Sequence, residues 1–218
     1  MTDKKTKILV NNIFDAIKAS NNQTDLRTVL DQYEIPSKNR MDPEKYPELA
    51  FAITGNEIQA LKANGFIDKE MNLTTGISEN LNDPLTKLLY ATMWKNGDLK
   101  KVKHIIQGVL DGVNVNNNKD SALVFYHFGK YLTKLPGQPI IDQHVIRAYA
   151  VYQAETEKEI KSLRSLNTLN KSHRSLIRDY KKWIISDELS ESLKNNENYT
   201  YEIDKILFAA GKTIKVRS

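Results

Sequence analysis

Apolar residues recur along most of this chain at the three-to-four-residue spacing of a helix face, and sustained alternation of apolar and polar positions is scarce. Ile8, Ile13, Phe14 and Ile17 build a first face, which Ser20-Asn21-Asn22 ends. Leu26, Val29 and Leu30 then fall on a short second helix after Thr24. Residues 34–47, polar and rich in proline, break the pattern. Residues 50–63 resume it, and Asn64-Gly65 supplies the residue types that stop helices. Residues 66–82 read as a loop. Pro84 behind Asp83 suits a first helical turn, and Leu85, Leu88, Leu89, Thr92 and Met93 form the next stripe up to Asn96-Gly97. Asp98 starts a helix bearing Leu99, Val102, Ile105, Ile106 and Val109, closed by Asp111-Gly112. A polar connector at 114–118 precedes a strongly apolar stretch at 121–132, and further helices are expected over 143–160, 172–186 and 200–212. The pattern predicts a mostly α fold with little or no sheet and no internal repeat.

Composition narrows the chemistry. The 218 residues, 40% of them hydrophobic, suffice for one packed helical domain or two small lobes. There is no cysteine, which excludes disulfides, cysteine nucleophiles and thiolate-held zinc or iron–sulfur centres. The four histidines, at 104, 127, 144 and 173, share no i,i+4 spacing, so neither a metal nor another cofactor is expected. The mean hydropathy is -0.53 and no apolar run reaches bilayer length. The first residues lack an apolar stretch of the secretory kind. A cytoplasmic protein with no membrane partner is expected. The net charge of +5 permits polyanion binding without requiring it.

One segment carries candidate chemistry. In Pro139-Ile140-Ile141-Asp142-Gln143-His144-Val145-Ile146-Arg147 an apolar run ends in a carboxylate and an amphipathic helix follows at once. Aspartate is a preferred N-cap, so Asp142 reads either as a plain cap or as a carboxylate held rigid and partly desolvated for catalysis. A second feature is cationic. Lys171, Arg174, Arg178 and Lys181 fall at i, i+3, i+7 and i+10, one face of a helix whose other side carries Ile177, Tyr180, Trp183 and Ile184. Such a face suits phosphate tracking, and equally an ordinary solvated surface.

Three stretches in order resemble the helix-hairpin-helix DNA glycosylases, the superfamily of endonuclease III and the 8-oxoguanine glycosylases. They are the loop Asn116-Asn117-Asn118-Lys119-Asp120-Ser121-Ala122-Leu123, the Asp142 segment, and Ile203-Asp204-Lys205-Ile206-Leu207-Phe208-Ala209-Ala210-Gly211-Lys212, similar to a late family helix ending on glycine. The resemblance spans about residues 98–212. It implies a two-lobed helical domain over 1–218. One sub-lobe would be 1–82, with the C-terminal helix packed on it, and the other 83–212, carrying the hairpin and the Asp-bearing helix.

The resemblance further implies a DNA base-excision protein, a hydrolase acting as a monomer on duplex DNA with a damaged or modified base. Asp142 would then be the catalytic carboxylate, and Lys119 a lyase nucleophile forming a Schiff base at C1′; otherwise Lys119 is a loop lysine neutralised by Asp120. Asn116, Asn117 and Asn118 would hold a DNA phosphate where the family has glycines, since asparagine best tolerates the left-handed backbone among other residues. The cationic residues Lys171, Arg174, Arg178 and Lys181 would track the backbone. A non-catalytic helical DNA- or protein-binding module on the same fold is the alternative. Gln143, Tyr126 and Tyr149 suit a base pocket, and the two tyrosines equally suit the core; His127 reads as a core histidine, and His144 as a proton carrier or as a residue bonded locally or facing solvent.

Overall fold

The computed structural model describes residues 1–112 and 122–216. Among them are eleven α-helices: α1 (Asp3–Ala19), α2 (Gln23–Gln32), α3 (Gly55–Ala63), α4 (Pro84–Lys95), α5 (Val102–Leu110), α6 (Leu123–Leu132), α7 (Gln143–Gln153), α8 (Glu157–Arg164), α9 (Arg174–Trp183), α10 (Glu191–Lys194) and α11 (Tyr199–Ile214). The described residues contain no strand, and Ile67 and Leu73 form a lone antiparallel bridge. No helix among them is long and apolar enough to cross a membrane. The chain divides into two compact units, residues 1–49 with 136–218, and residues 50–135. Segment 50–82 thus groups with 83–135.

In the first unit α7 is the central helix. Every residue from Val145 to Val151 is buried, and α11, α1, α8 and α9 pack around it. The buried face of α1 consists of Thr6, Val10, Ile13, Phe14 and Ile17. Ile8, expected on that face, is half exposed, and Val10 takes its place. Phe14, Tyr149, Tyr152, Tyr180 and Trp183 form one aromatic cluster, in which Phe14 and Tyr152 stack at 4.0 Å.

The helix expected over 143–160 is two helices. Thr156 accepts the Glu159 N–H, and Glu159 accepts the Thr156 N–H at 3.0 Å. This reciprocal cap gives acceptors to the orphan N–H donors of a new N-terminus, so the chain breaks at Ala154 and restarts as α8. The same device at Thr54 and Glu57 starts α3 at Gly55, five residues after the expected start. The late helix does not end on Gly211 but runs to Ile214. Gly211 lies where α11 meets α7: a Cβ there would sit 1.9 Å from the His144 carbonyl oxygen.

In the second unit α5 and α6 meet through backbone contact. A Cβ on Gly108 would lie 2.0 Å from the Tyr126 carbonyl oxygen, and one on Gly129 would lie 2.0 Å from that of Ile105. Gly129→Ala is therefore expected to push the two helices apart and to lose about 2–3 kcal/mol, against the roughly 1 kcal/mol that alanine adds in helix propensity. Urea unfolding followed by circular dichroism measures this; an unchanged midpoint would refute the close crossing. The α4 stripe stays uncovered, with Leu85, Leu88 and Leu89 each more than half exposed.

Candidate functional site

Asp142 is the N-cap of α7, with extended backbone (φ -125°, ψ 154°). Its Oδ1 accepts the His144 N–H at 2.6 Å. The side chain is half-buried, and the preceding Ile141 is buried. A short charge-assisted bond into the first turn fixes the carboxylate's orientation, and the positive end of the helix favours its charge.

Behind this carboxylate lies a buried cation. Arg147, one turn into α7, is fully buried. Its Nη1 donates to the Gly211 carbonyl at 2.8 Å and meets His144 Nδ1 at 2.7 Å, and its Nη2 donates to the Leu166 carbonyl. Nε has no hydrogen-bond partner. Desolvation lowers the Arg147 pKa to about 10, with Asp142 opposing the shift. Arg147 therefore remains a cation at neutral pH.

A guanidinium only donates, so its contact with His144 requires a lone pair on Nδ1. The His144 ring is thus neutral, with its proton on Nε2. Burial first, then Arg147, Lys215 and Lys212, hold the His144 pKa below its ordinary value, while Asp142 acts against them. The ring meets Phe208 of α11 edge-on at 4.9 Å between centroids.

A second carboxyl in this unit feels the charge of the first. Asp204 of α11 is fully buried. Its Oδ1 accepts the Tyr180 hydroxyl and its Oδ2 the Ile140 N–H, each at 2.6 Å. Burial raises its pKa to about 8 against the lowering effect of those two bonds, and the charge on Asp142 adds to the rise. Asp204 has no local motif to mark it as part of a site, although an acid among Ile203, Ile206 and Leu207 is a visible signal. Arg147 lies in the same segment as Asp142, and its role as a buried donor to Gly211 and Leu166 depends on partners far away in sequence.

The cationic residues group less regularly than their spacing predicts. α9 begins at Arg174, and Lys171 sits in the preceding 3-10 turn, which Asn170 caps. Lys171 and Arg178 are exposed, and Arg174 is half-buried. Arg178 Nε lies 3.6 Å from its neighbour Asp179. Lys181 turns inward and donates to Gln138 Oε1 at 2.6 Å, four residues ahead of Asp142. The first unit thus carries Asp142, Arg147, His144, Asp204 and the α9 cations together.

Asn116, Asn117, Asn118 and Lys119 lie outside the described residues. Tyr149 belongs to the aromatic cluster, Gln143 is half-buried, and the Tyr126 hydroxyl donates to Asp111 at 3.2 Å. A cleft of about 380 Å³, lined by Lys7, Asn11, Asp15, Tyr152 and Gln153, opens at the other end of α7, about 15 Å along the helix axis from Asp142. The described residues contain no group of three or more His, Asp or Glu suited to a metal ion. No family model, curated protein or solved structure matches the chain.

Proposed function

We propose that this chain is a DNA base-excision protein of the helix-hairpin-helix glycosylase type. It would be a two-lobed helical hydrolase that acts as a cytoplasmic monomer on duplex DNA and releases a modified base. The observation that carries the reading is the capping geometry of Asp142. A half-buried carboxylate is clamped at a helix N-terminus, in the unit whose α9 presents Arg178, with Lys171 just before it, to solvent.

Breaking the bond between C1′ and the base leaves positive charge on the sugar. A fixed carboxylate stabilises that charge, or draws a proton from the water that adds at C1′ and passes it on to the departing base. A carboxylate already oriented by its cap needs no reorganisation during this step. The neutral His144 ring and the buried Arg147 border it without neutralising it in a direct ion pair. Lys119, acting as an amine nucleophile, would extend the reaction to strand cleavage.

The cap also makes the test clean. Asparagine caps helices about as well as aspartate, so Asp142→Asn is expected to keep the fold while removing the negative charge. Release from duplexes that each carry one modified base should fall by about 10²–10³, with circular dichroism unchanged. Borohydride trapping lost in Lys119→Ala would identify the lyase. Salt-sensitive duplex binding with no release from any substrate would instead select the non-catalytic binding module.

A further inference from the structure

The segment leading into Asp142 has neither helix nor sheet to satisfy its backbone. Pro139 has no N–H, so that of Ile140 is the first donor of the segment that needs an acceptor. It finds one in Asp204, from α11. The other oxygen of that carboxyl holds Tyr180 of α9. The next residue on α9, Lys181, reaches Gln138 on the near side of Pro139. Two adjacent residues of the cation-bearing helix therefore flank Pro139, and one of these ties passes through a single interior carboxyl.

Burying a carboxyl in an apolar core is costly, and a hydrophobic side chain of similar volume commonly serves stability as well or better. Stability alone therefore does not account for Asp204. Its two bonds meet at a point of functional interest. Ile140 precedes Asp142 by two residues, so displacing its amide displaces the cap, and the cap bond to His144 reports that displacement.

We propose, resting on the base-excision reading, that Asp204 is a positioning residue for Asp142: it fixes the backbone leading into the cap and keeps it in register with the cationic helix α9. Amide hydrogen exchange in the full-length chain tests this, with activity as a second readout. Asp204→Ala is expected to speed exchange at Ile140 and at His144 by about tenfold, with Phe14 in the core of α1 unchanged. On a duplex substrate kcat should fall in step, with the binding constant for DNA held within about twofold. Asp204→Asn, which keeps an acceptor for Ile140, should restore both. If Asp204→Ala does not fold, Tyr180→Phe takes its place: it removes one of the two ties, and the same amides should respond in the same direction.

Unchanged His144 exchange in a folded variant that has lost Ile140 protection would overturn the proposal and leave Asp204 a core residue. So would a rise in exchange spread evenly over α1, α7 and α11. If the wild-type protein releases no base from any duplex, the base-excision reading fails, and the positioning of the cap is still decided by His144 exchange.

Discussion

Gly211→Ala is expected to destabilise the first unit by about 3 kcal/mol or more, among the largest losses from adding one methyl group to this chain. The added Cβ would lie 1.9 Å from the His144 carbonyl oxygen and 2.6 Å from its carbon. Both atoms are backbone of α7, so no side chain can rotate away. Helix propensity alone would favour alanine by about 1 kcal/mol, and the steric term outweighs it. The damage should also reach the site. Moving α11 away from α7 lengthens the Arg147 bond to the Gly211 carbonyl and loosens the guanidinium that holds His144 Nδ1. Gly55→Ala is the control, because its nearest neighbour is a leucine methyl at 4.0 Å. Urea unfolding of both variants, followed by circular dichroism, gives the comparison. Equal midpoints would mean that α7 and α11 are not in backbone contact.

The second large effect is a dependence of stability on pH. Asp204 has a folded pKa of about 8 against an ordinary value of 3.8. Below pH 4 both folded and unfolded chains hold the proton, and the group's stabilising contribution is complete. Between pH 4 and pH 8 the unfolded chain releases the proton while the folded chain keeps it, so stability declines as pH rises. Above pH 8 both are ionised and the full penalty, about 6 kcal/mol at most, has been incurred. Asp204→Asn removes the titration. It should flatten this part of the profile and be the more stable form at pH 8. Its amide oxygen can still accept from Ile140, and its NH2 can face the Tyr180 oxygen. The quantity to measure is the difference in unfolding free energy between wild type and variant from pH 4 to pH 8, which cancels the other titrating groups. A difference that stays constant over that range would show that Asp204 ionises normally.

The helical character of the chain was legible because its apolar residues keep helical spacing, and the C-terminal stops of α3 and α4 follow from Asn64-Gly65 and Asn96-Gly97. The missed break between α7 and α8 was legible in principle. Thr156-Glu157-Lys158-Glu159 has the spacing of a reciprocal cap, but the apolar periodicity on either side masked it. Thr54-Gly55-Asn56-Glu57 hid the true start of α3 in the same way. The α4 stripe shows a different limit: periodicity says that a helix has an apolar face, not that anything covers it.

At the site, the cap role of Asp142 followed from residue type and position alone. Asp204 did not, because its partners Tyr180 and Ile140 are 24 and 64 residues away in sequence and nothing local marks them. The resemblance to a late family helix ending on glycine makes Gly211 a helix stop, whereas α11 runs on to Ile214. The demand at Gly211 is instead a tertiary one, the closeness of another backbone.

The two tryptophans fall one to each unit, and their surroundings are opposite. Trp94 is 67% exposed on α4, whereas Trp183 is 4% exposed among Phe14, Tyr149 and Tyr180, with no partner for its indole N–H. Their fluorescence therefore differs in colour and in access to a dissolved quencher: long-wavelength, readily quenched light from one unit, and short-wavelength, shielded light from the other. Without any attached dye, a shift of the emission to longer wavelength reports the opening of the first unit, whichever state the second is in.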